Sequence, residues 1–271
     1  MVFKAQGGTV QIHDGVQDYV TFGRGEKILL MIPGLSDGLK TVRGLALPMA
    51  WMYRYLARDY RVYIISRKRD MPDVYSTRDM AADLGRALDS LSISKADVIG
   101  LSQGGMIAQF LAADYPQRVG RLVLAVTVAR ANPTLQDVIG HWLELGRQGD
   151  YSSLIHDTME KTYTEKTFNK YRPVLPLLSR IGRPRDFRRF LIMGQACLEH
   201  DAWDALGNIT SPTLVIGGGK DRVVGEDSST DLAERIPHAR LKLYPNLGHG
   251  AFEEASDFNE EVARFLSESM G

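Results

Sequence analysis

The sequence of 271 residues is poor in cysteine and has no surplus of either charge. Its one cysteine, Cys197, excludes an intramolecular disulfide framework. We expect this residue to be small and buried rather than nucleophilic, because no paired base is evident for it. The 33 Lys and Arg residues balance 33 Asp and Glu residues, whereas proteins that bind nucleic acids usually carry a basic surplus. The composition therefore argues against nucleic-acid binding.

Long apolar runs are also missing. The run at residues 28–32 stops at Pro33, far short of the roughly 18 residues that a membrane-spanning helix needs. The first seven residues lack the basic start and apolar stretch of a signal peptide. Together with the single cysteine, these absences lead us to expect a cytoplasmic protein without a membrane partner.

The usual sequence patterns of metal and nucleotide sites are absent too. There is no His-Glu-x-x-His pattern and no pair of closely spaced cysteines. Residues 217–220 (Gly-Gly-Gly-Lys) are followed by Asp221 rather than by Ser or Thr, which excludes a phosphate-binding P-loop. No Gly-x-Gly-x-x-Gly follows the early strand patterns, as a dinucleotide site would need. We therefore predict no cofactor.

What the sequence does contain is an alternation of strand and helix patterns. Residues 27–32 form a solid apolar run, as expected of a strand buried on both faces. Ser76 and Asp79 have the spacing of a capping box at the start of a helix. This alternation predicts an α/β fold with a mostly parallel central sheet flanked by helices. We predict strands at 9–12, 16–22, 27–32, 61–66, 96–100, 119–126, 212–217 and 239–244, and helices at 42–59, 76–91, 103–115, 226–236 and 258–266.

Residues 129–206 interrupt the alternation with a helical pattern rich in Leu, Tyr, Met and Arg. The simplest account is one α/β core domain, residues 1–128 and 207–271, with a helical insertion after the sixth strand. Four arginines at positions 183–189 are expected on a solvated face of this insertion. Its large apolar residues should mostly form its own core, while some line an apolar pocket: Trp142, Tyr151, Met159, Tyr163, Phe168, Tyr171, Phe190, Met193 and Trp203.

Three residues point to nucleophilic catalysis. Ser102 lies in a Gly-x-Ser-x-Gly pattern between a predicted strand and a predicted helix, which places the serine hydroxyl on a tight turn at the edge of the sheet. A serine nucleophile needs a base, and the base needs an orienting acid. Asp221 and His249 follow later strands in that order. Taken singly they would be an ordinary loop carboxylate and a surface histidine, but the ordered set favours catalysis.

These motifs resemble those of the α/β-hydrolase superfamily, in the serine branch with a helical lid. The resemblance extends over about residues 16–265 and is closest to small esterases, enol-lactonases and cofactor-free haloperoxidases. The motifs that carry it are residues 32–35 (Ile-Pro-Gly-Leu), 100–105 (Gly-Leu-Ser-Gln-Gly-Gly), 217–221 (Gly-Gly-Gly-Lys-Asp) and 248–250 (Gly-His-Gly).

The resemblance implies a role for each candidate residue. Ser102 resembles the nucleophile, His249 the general base and later acid, and Asp221 the group that orients His249. The backbone N–H groups of Leu35 and Gln103 would form the oxyanion hole. Many relatives have His-Gly where this chain has Pro-Gly at 33–34, but the donor is a backbone group, so this change need not abolish the hole. Residues 129–206 would be the lid, or cap. Its histidines, His141, His156 and His200, are expected in core or surface roles, and His200 is the one of interest because the insertion should face the active site.

The implied function is hydrolysis of a carboxylic ester or lactone of a small to medium apolar substrate, through an acyl-enzyme on Ser102. Two alternatives stay open. One is a carbon–carbon hydrolase, lyase or cofactor-free perhydrolase on the same residues, and the other is a ligand-binding receptor with residual hydrolysis. Haloalkane dehalogenase and epoxide hydrolase chemistry is disfavoured, since those enzymes carry aspartate at the position of Ser102. The expected partner is a small-molecule ester or lactone, and the oligomeric state, a homo-oligomer included, stays open.

Overall fold

The structure, a computed structural model, describes residues 4–268 and is built around an eight-stranded sheet. The strands lie in the order β1-β2-β4-β3-β5-β6-β7-β8. β1 and β2 pair antiparallel, as do β2 and β4, and the remaining pairs are parallel. The mostly parallel sheet predicted from the sequence is thus confirmed. The strands are β1 (Gln6–Ile12), β2 (Gly15–Phe22), β3 (Lys27–Ile32), β4 (Tyr60–Lys68), β5 (Ala96–Leu101), β6 (Val119–Ala125), β7 (Thr213–Gly218) and β8 (Arg240–Tyr244).

Helices cover both faces of the sheet. One apolar cluster joins one face to the helices that follow β4 and β5, and a second joins the other face to the first and last helices of the chain. These elements bury apolar surface on both sides of the parallel strands, which explains their near-continuous apolar sequences. The helices outside the segment between β6 and β7 are α1 (Ala46–Met52), α2 (Thr77–Ser90), α3 (Gln103–Asp114), α9 (Ser228–Arg235), α10 (Ala251–Glu254) and α11 (Phe258–Ser267).

The register of the parallel strands brings four strand ends to one edge of the sheet. Ile32 at the end of β3 pairs with Gly100 of β5, and Leu101 pairs with Ala125 at the end of β6. Ala125 in turn pairs with Ile216 of β7. The loops that leave β3, β5, β6 and β7 therefore start side by side, although they are far apart in the sequence.

The segment between β6 and β7 is helical, and its two ends are held together. An isolated antiparallel bridge joins Arg130 and Asp201, and the N–H of Ala131 donates to the C=O of His200 at 2.8 Å. Apolar residues of these helices belong to the same cluster as one face of the sheet, so the segment packs directly on the core. Its helices are α4 (Pro133–Arg147), α5 (Tyr151–Thr162), α6 (Glu165–Tyr171), α7 (Leu175–Ile181) and α8 (Arg188–Leu198).

Two details differ from the sequence predictions. The single helix predicted at 42–59 is instead α1 followed by a 3-10 helix, Leu56–Arg58. Pro48 lies in the first turn of α1, the part of a helix where a missing N–H costs least, so the helix begins later than predicted. The arginines at 183–189 are not all on a solvated face. Arg183, Arg185 and Arg188 are exposed, whereas Arg189 is half-buried and donates to the Arg69 carbonyl just after β4 and to Asp37.

Within residues 4–268, no helix has both the length and the apolar character that a bilayer crossing requires. The capping box predicted at the start of α2 is present, since Ser76 accepts from the Asp79 N–H and the Asp79 carboxylate accepts from the Ser76 N–H.

His200 is buried at the base of the helical segment, away from solvent. Its side chain is 2% exposed, its Nδ1 lies 2.9 Å from Thr77 Oγ1, and its ring meets Phe110 edge-on. Burial lowers the pKa of His200 to about 4, because the low-dielectric interior disfavours the charged imidazolium. His200 is thus a neutral packing residue at pH 7.

We expect His200 to make the protein less stable in acid. Its pKa is lower in the folded chain than the ordinary value of about 6.5, so the unfolded chain binds more protons between about pH 6.5 and 4, and the free energy of unfolding falls as pH drops through that window. His200→Asn keeps an acceptor for Thr77. In this variant the decrease in the free energy of unfolding between pH 7 and pH 4 should be smaller by up to about 3 kcal/mol. Urea unfolding at pH 7, 5.5 and 4 measures this, with the exposed His238→Asn as control. An unchanged pH dependence in His200→Asn would assign the acid sensitivity to another group.

Candidate active site

Ser102 occupies a strained turn between β5 and α3. Its φ of +52° and ψ of −121° are rare for a residue with a side chain. The turn is possible because its neighbours are glycines. A Cβ on Gly100 would lie 2.5 Å from the Gly104 carbonyl oxygen, and one on Gly104 would overlap the Ile32 carbonyl and lie 2.7 Å from that of Pro33. The N–H of Ser102 donates to the Ala125 carbonyl at 2.9 Å, which holds the turn against β6.

Ser102, His249 and Asp221 form one hydrogen-bonded chain. His249 Nε2 lies 3.0 Å from Ser102 Oγ, and His249 Nδ1 lies 2.9 Å from Asp221 Oδ2. These distances are within hydrogen-bond range on both sides of the imidazole ring. A carboxylate at Nδ1 favours the tautomer that carries its proton there, which leaves Nε2 free to accept the proton of the serine.

The carboxylate of Asp221 is fixed by the backbone of its own loop. Its Oδ1 accepts from the N–H groups of Val223 at 2.8 Å and Val224 at 3.0 Å. The side chain is 2% exposed, and that of His249 is 8% exposed. Since Oδ1 is committed to the loop, Oδ2 is held in place for His249.

Glycines also position the loop that carries His249. A Cβ on Gly218 would overlap the Gly248 carbonyl, and one on Gly250 would lie 3.0 Å from the Thr162 carbonyl. The N–H of Gly250 donates to that same carbonyl of α5 at 2.7 Å. The histidine loop is thus packed between the end of β7 and the helical segment.

The backbone N–H groups of Leu35 and Gln103 each lie at the start of a helix next to Ser102. Leu35 is the first residue of a 3-10 helix, Leu35–Gly38, and Gln103 is the first residue of α3, and the first N–H groups of a helix have no partner within it. A Cβ on Gly34 would lie 3.4 Å from that of Ser102, so the two chain segments touch. The Gly34 carbonyl accepts from Asp37 within the 3-10 helix, which turns the Leu35 N–H to the opposite side of the planar peptide.

A buried arginine behind the site escaped the sequence analysis. Arg67, at the end of β4, is 2% exposed, and its Nη2 donates to the Pro33 carbonyl at 2.5 Å and to Gln103 Oε1 at 3.0 Å. Its backbone N–H donates to Asp37 Oδ2 at 3.0 Å. The strand predicted at 61–66 stops one residue before Arg67, whereas β4 continues to Lys68. No periodicity or motif in the sequence indicates that Arg67 is buried.

Cys197 lies near the site without being part of the hydrogen-bonded chain. It is 2% exposed, and its Sγ accepts from Gln103 Nε2 at 3.1 Å. Burial raises the pKa of the Cys197 thiol to about 12, so the reactive thiolate is scarcely populated at neutral pH. Among residues 4–268, no group of three or more His, Cys, Asp or Glu side chains is arranged to hold a metal ion.

Comparisons with known proteins identify the family and the fold. A family model described as alpha/beta hydrolase fold matches residues 27–256. A 2-hydroxy-6-oxononadienedioate/2-hydroxy-6-oxononatrienedioate hydrolase of a Pseudomonas species is 27% identical over 276 residues, which cover 96% of this chain and 92% of the relative. The chain is similar in structure to MGS-M2, an alpha/beta hydrolase enzyme from a Medee basin deep-sea metagenome library, with a TM-score of 0.86, 22% identity and coverage of 97% and 98% of the two chains.

A second solved structure, the enol-lactonase from Burkholderia xenovorans LB400, superimposes with a TM-score of 0.80 and 21% identity. The match covers 96% of this chain and all of that one, 100%. At these identities the two solved structures establish the likeness of fold alone.

We expect Gly104→Ala to damage the fold and Gly140→Ala to spare it. The atoms nearest to the new methyl group at 104 are backbone atoms of residues 32 and 33, which cannot swing aside, so the free energy of unfolding should fall by about 3 kcal/mol or more. A Cβ at Gly140 in α4 meets nothing within 4 Å, and alanine there should gain up to about 1 kcal/mol. Urea unfolding compares the two. Equal stabilities would show that the close approach of α3 to β3 is not a constraint.

Proposed function

The chain belongs to the alpha/beta hydrolase fold family, and from this premise we propose that it is a serine hydrolase that cleaves a carboxylic ester or lactone of a small to medium apolar substrate. The observation that carries the proposal is the hydrogen-bonded chain from Ser102 Oγ through His249 to Asp221. This arrangement serves acyl transfer, because the serine can lose its proton as it attacks.

In the first half of the proposed reaction, Ser102 Oγ attacks the carbonyl carbon and its proton passes to His249 Nε2. The carbonyl oxygen becomes negatively charged and accepts hydrogen bonds from the N–H groups of Leu35 and Gln103. Each such donor is worth about 3 kcal/mol in the transition state. Asp221 stabilises the imidazolium and keeps its ring in place. The tetrahedral intermediate then expels the alcohol oxygen, which takes the proton from Nε2.

In the second half, water replaces the alcohol. His249 Nε2 removes a proton from the water as its oxygen attacks the acyl carbon, and the same two N–H groups hold the oxyanion. When the second tetrahedral intermediate collapses, Ser102 Oγ leaves as the alkoxide and recovers its proton from His249. The products are the free acid and the starting enzyme, so the reaction is balanced with water as the only co-substrate. In a lactone the alcohol released in the first half stays attached to the acid.

We assign residues 129–206 the role of the cap over this site. Two contacts support the assignment. The Thr162 carbonyl of α5 holds the histidine loop, while Phe190 and Met193 of α8 pack against Gly38 in the 3-10 helix that begins with Leu35. These two residues of α8 are apolar and are 3% and 0% exposed. An apolar cap favours an apolar acyl group, because its burial provides binding free energy.

A second candidate reaction is hydrolysis of a carbon–carbon bond. It is supported by the Pseudomonas relative, which is named for such a dienedioate substrate and matches 96% of this chain. An ester needs the proton from His249 on its leaving oxygen, whereas carbon–carbon cleavage needs a proton on carbon. We rank the ester or lactone first, because proton transfer from nitrogen to oxygen is intrinsically easier than transfer to carbon.

Ser102→Ala is expected to abolish turnover of p-nitrophenyl esters. Removing the nucleophile should lower kcat by a factor of about 1000 or more. Steady-state hydrolysis of the acetate, butyrate and octanoate measures this, and the chain-length profile gives the size of the acyl pocket. Ser152→Ala, an exposed serine on α5, is the matched control and should keep wild-type activity. Equal activity of Ser102→Ala and wild type would show that another group is the nucleophile.

The same wild-type protein distinguishes the two candidate reactions. We expect kcat/KM for p-nitrophenyl butyrate or for an enol-lactone to exceed that for 2-hydroxy-6-oxo-6-phenylhexa-2,4-dienoate, whose cleavage is followed by loss of its dienolate absorbance. A higher kcat/KM for the dienoate, abolished by Ser102→Ala, would support carbon–carbon hydrolysis instead.

A further inference from the structure

Arg67 links the two chain segments whose N–H groups would hold the oxyanion. Its Nη2 donates both to the Pro33 carbonyl, one peptide before the Leu35 N–H, and to the side chain of Gln103. Gln103 carries the other N–H group. One guanidinium thus connects the loop after β3 with the start of α3, the two segments whose relative position sets the distance between the donors.

The same network reaches the helical segment. Gln103 Nε2 donates to the Met193 carbonyl of α8 at 2.6 Å and to Cys197 Sγ at 3.1 Å. Asp37, in the 3-10 helix that begins with Leu35, accepts from the backbone N–H of Arg67 and from Arg189 of α8 at 3.2 Å. The position of α8 is therefore tied to both oxyanion donors.

Stability alone is a poor explanation for this arrangement. Arg67 is among the largest fully buried side chains of the described residues, and its Nε and Nη1 have no hydrogen-bond partner there, nor has Asp37 Oδ1. The Nη1 atom of Arg67 lies 3.8 Å from Asp37 Oδ2, and the same carboxylate also pairs with a second cation, Arg189. A buried and incompletely paired charge costs desolvation energy, and an apolar residue of similar volume often serves the fold as well or better.

We infer that Arg67 and Gln103 are positioning residues, which fix the Leu35 and Gln103 N–H groups at the spacing of an oxyanion and keep them there while α8 is docked. The inference rests on the proposed function, since it assigns these N–H groups to the reaction of Ser102. Neither side chain touches substrate. Each acts through the backbone, where a displacement of about 1 Å can cost a factor of about 100 in rate.

The test uses two near-isosteric variants, Arg67→Met and Gln103→Met, and p-nitrophenyl butyrate. We expect kcat to fall about 10- to 100-fold in each while KM changes less than about 3-fold, because the donors act mainly on charge that develops in the transition state. Arg67→Lys should not rescue activity, because both bonds come from Nη2, and the lysine side chain is one bond shorter, so its ammonium group would not reach both acceptors. Arg188→Met is the matched control. Arg188 also ties α8 to the core, but through Met71 and Asp73, and this variant should keep wild-type kcat/KM.

Binding of phenylboronic acid provides a readout that does not depend on turnover. Boron accepts Ser102 Oγ, and one boron oxygen takes the position of the oxyanion. In Arg67→Met and Gln103→Met its Kd should rise by the factor by which kcat/KM falls. The double variant separates positioning from stability. In Arg67→Met/Gln103→Met the lost Arg67–Gln103 bond leaves no polar group of either side chain behind, so we expect Tm to recover relative to Arg67→Met while kcat/KM and the boronate Kd do not.

The outcomes are distinguishable. Recovery of kcat/KM together with Tm in the double variant, or wild-type boronate affinity in both folded single variants, would overturn the positioning role and leave the proposed function intact. Absence of boronate binding and ester turnover in the wild type would overturn the proposed function itself, and with it this inference.

Discussion

The close approach of α3 to the end of β3 is the constraint on which the rest of the site depends. Gly104 lies so near the Ile32 and Pro33 carbonyls that no side chain fits between them. This contact brings the start of α3 next to the loop after β3, and the backbone of Ser102, between β5 and α3, has its rare conformation in the same turn. The strain is maintained by the hydrogen bond from Ser102 to Ala125 and by the burial of most of α3, since strained backbone persists only where its surroundings over-determine it.

The parts of the site that follow from backbone geometry could be predicted from the sequence. A Gly-x-Ser-x-Gly pattern between strand and helix indicates the turn at Ser102, and parallel strands bring the loops with Asp221 and His249 to the same edge. The structure places these three side chains in one hydrogen-bonded chain. Local conformation and strand order bring the three side chains together. Glycine spacing indicates the first and apolar runs indicate the second.

The parts that depend on long-range polar contacts could not be predicted. Arg67, Asp37 and Arg189 come from a strand end, a 3-10 helix and a distant helix, and each looks like a solvated charge in its own stretch of sequence. Their burial follows only from the way those elements pack. The helix predicted at 42–59 was too long for a related reason, since apolar spacing marks a face but not where the hydrogen-bond ladder stops.

The buried polar side chains of the interior include both neutral and charged groups. Cys197 and His200 are buried, and burial shifts their pKa values so that both are neutral at pH 7. Neither side chain therefore adds a charge to the interior at that pH. Arg67 remains a donor to two oxygen atoms although it is fully buried. Both bonds come from the nitrogen at the far end of the long arginine side chain, and a shorter amide side chain would not reach the Pro33 carbonyl and Gln103 together. Burying this guanidinium costs desolvation energy. It lies where the loop after β3 meets the start of α3 and, through Gln103, helix α8.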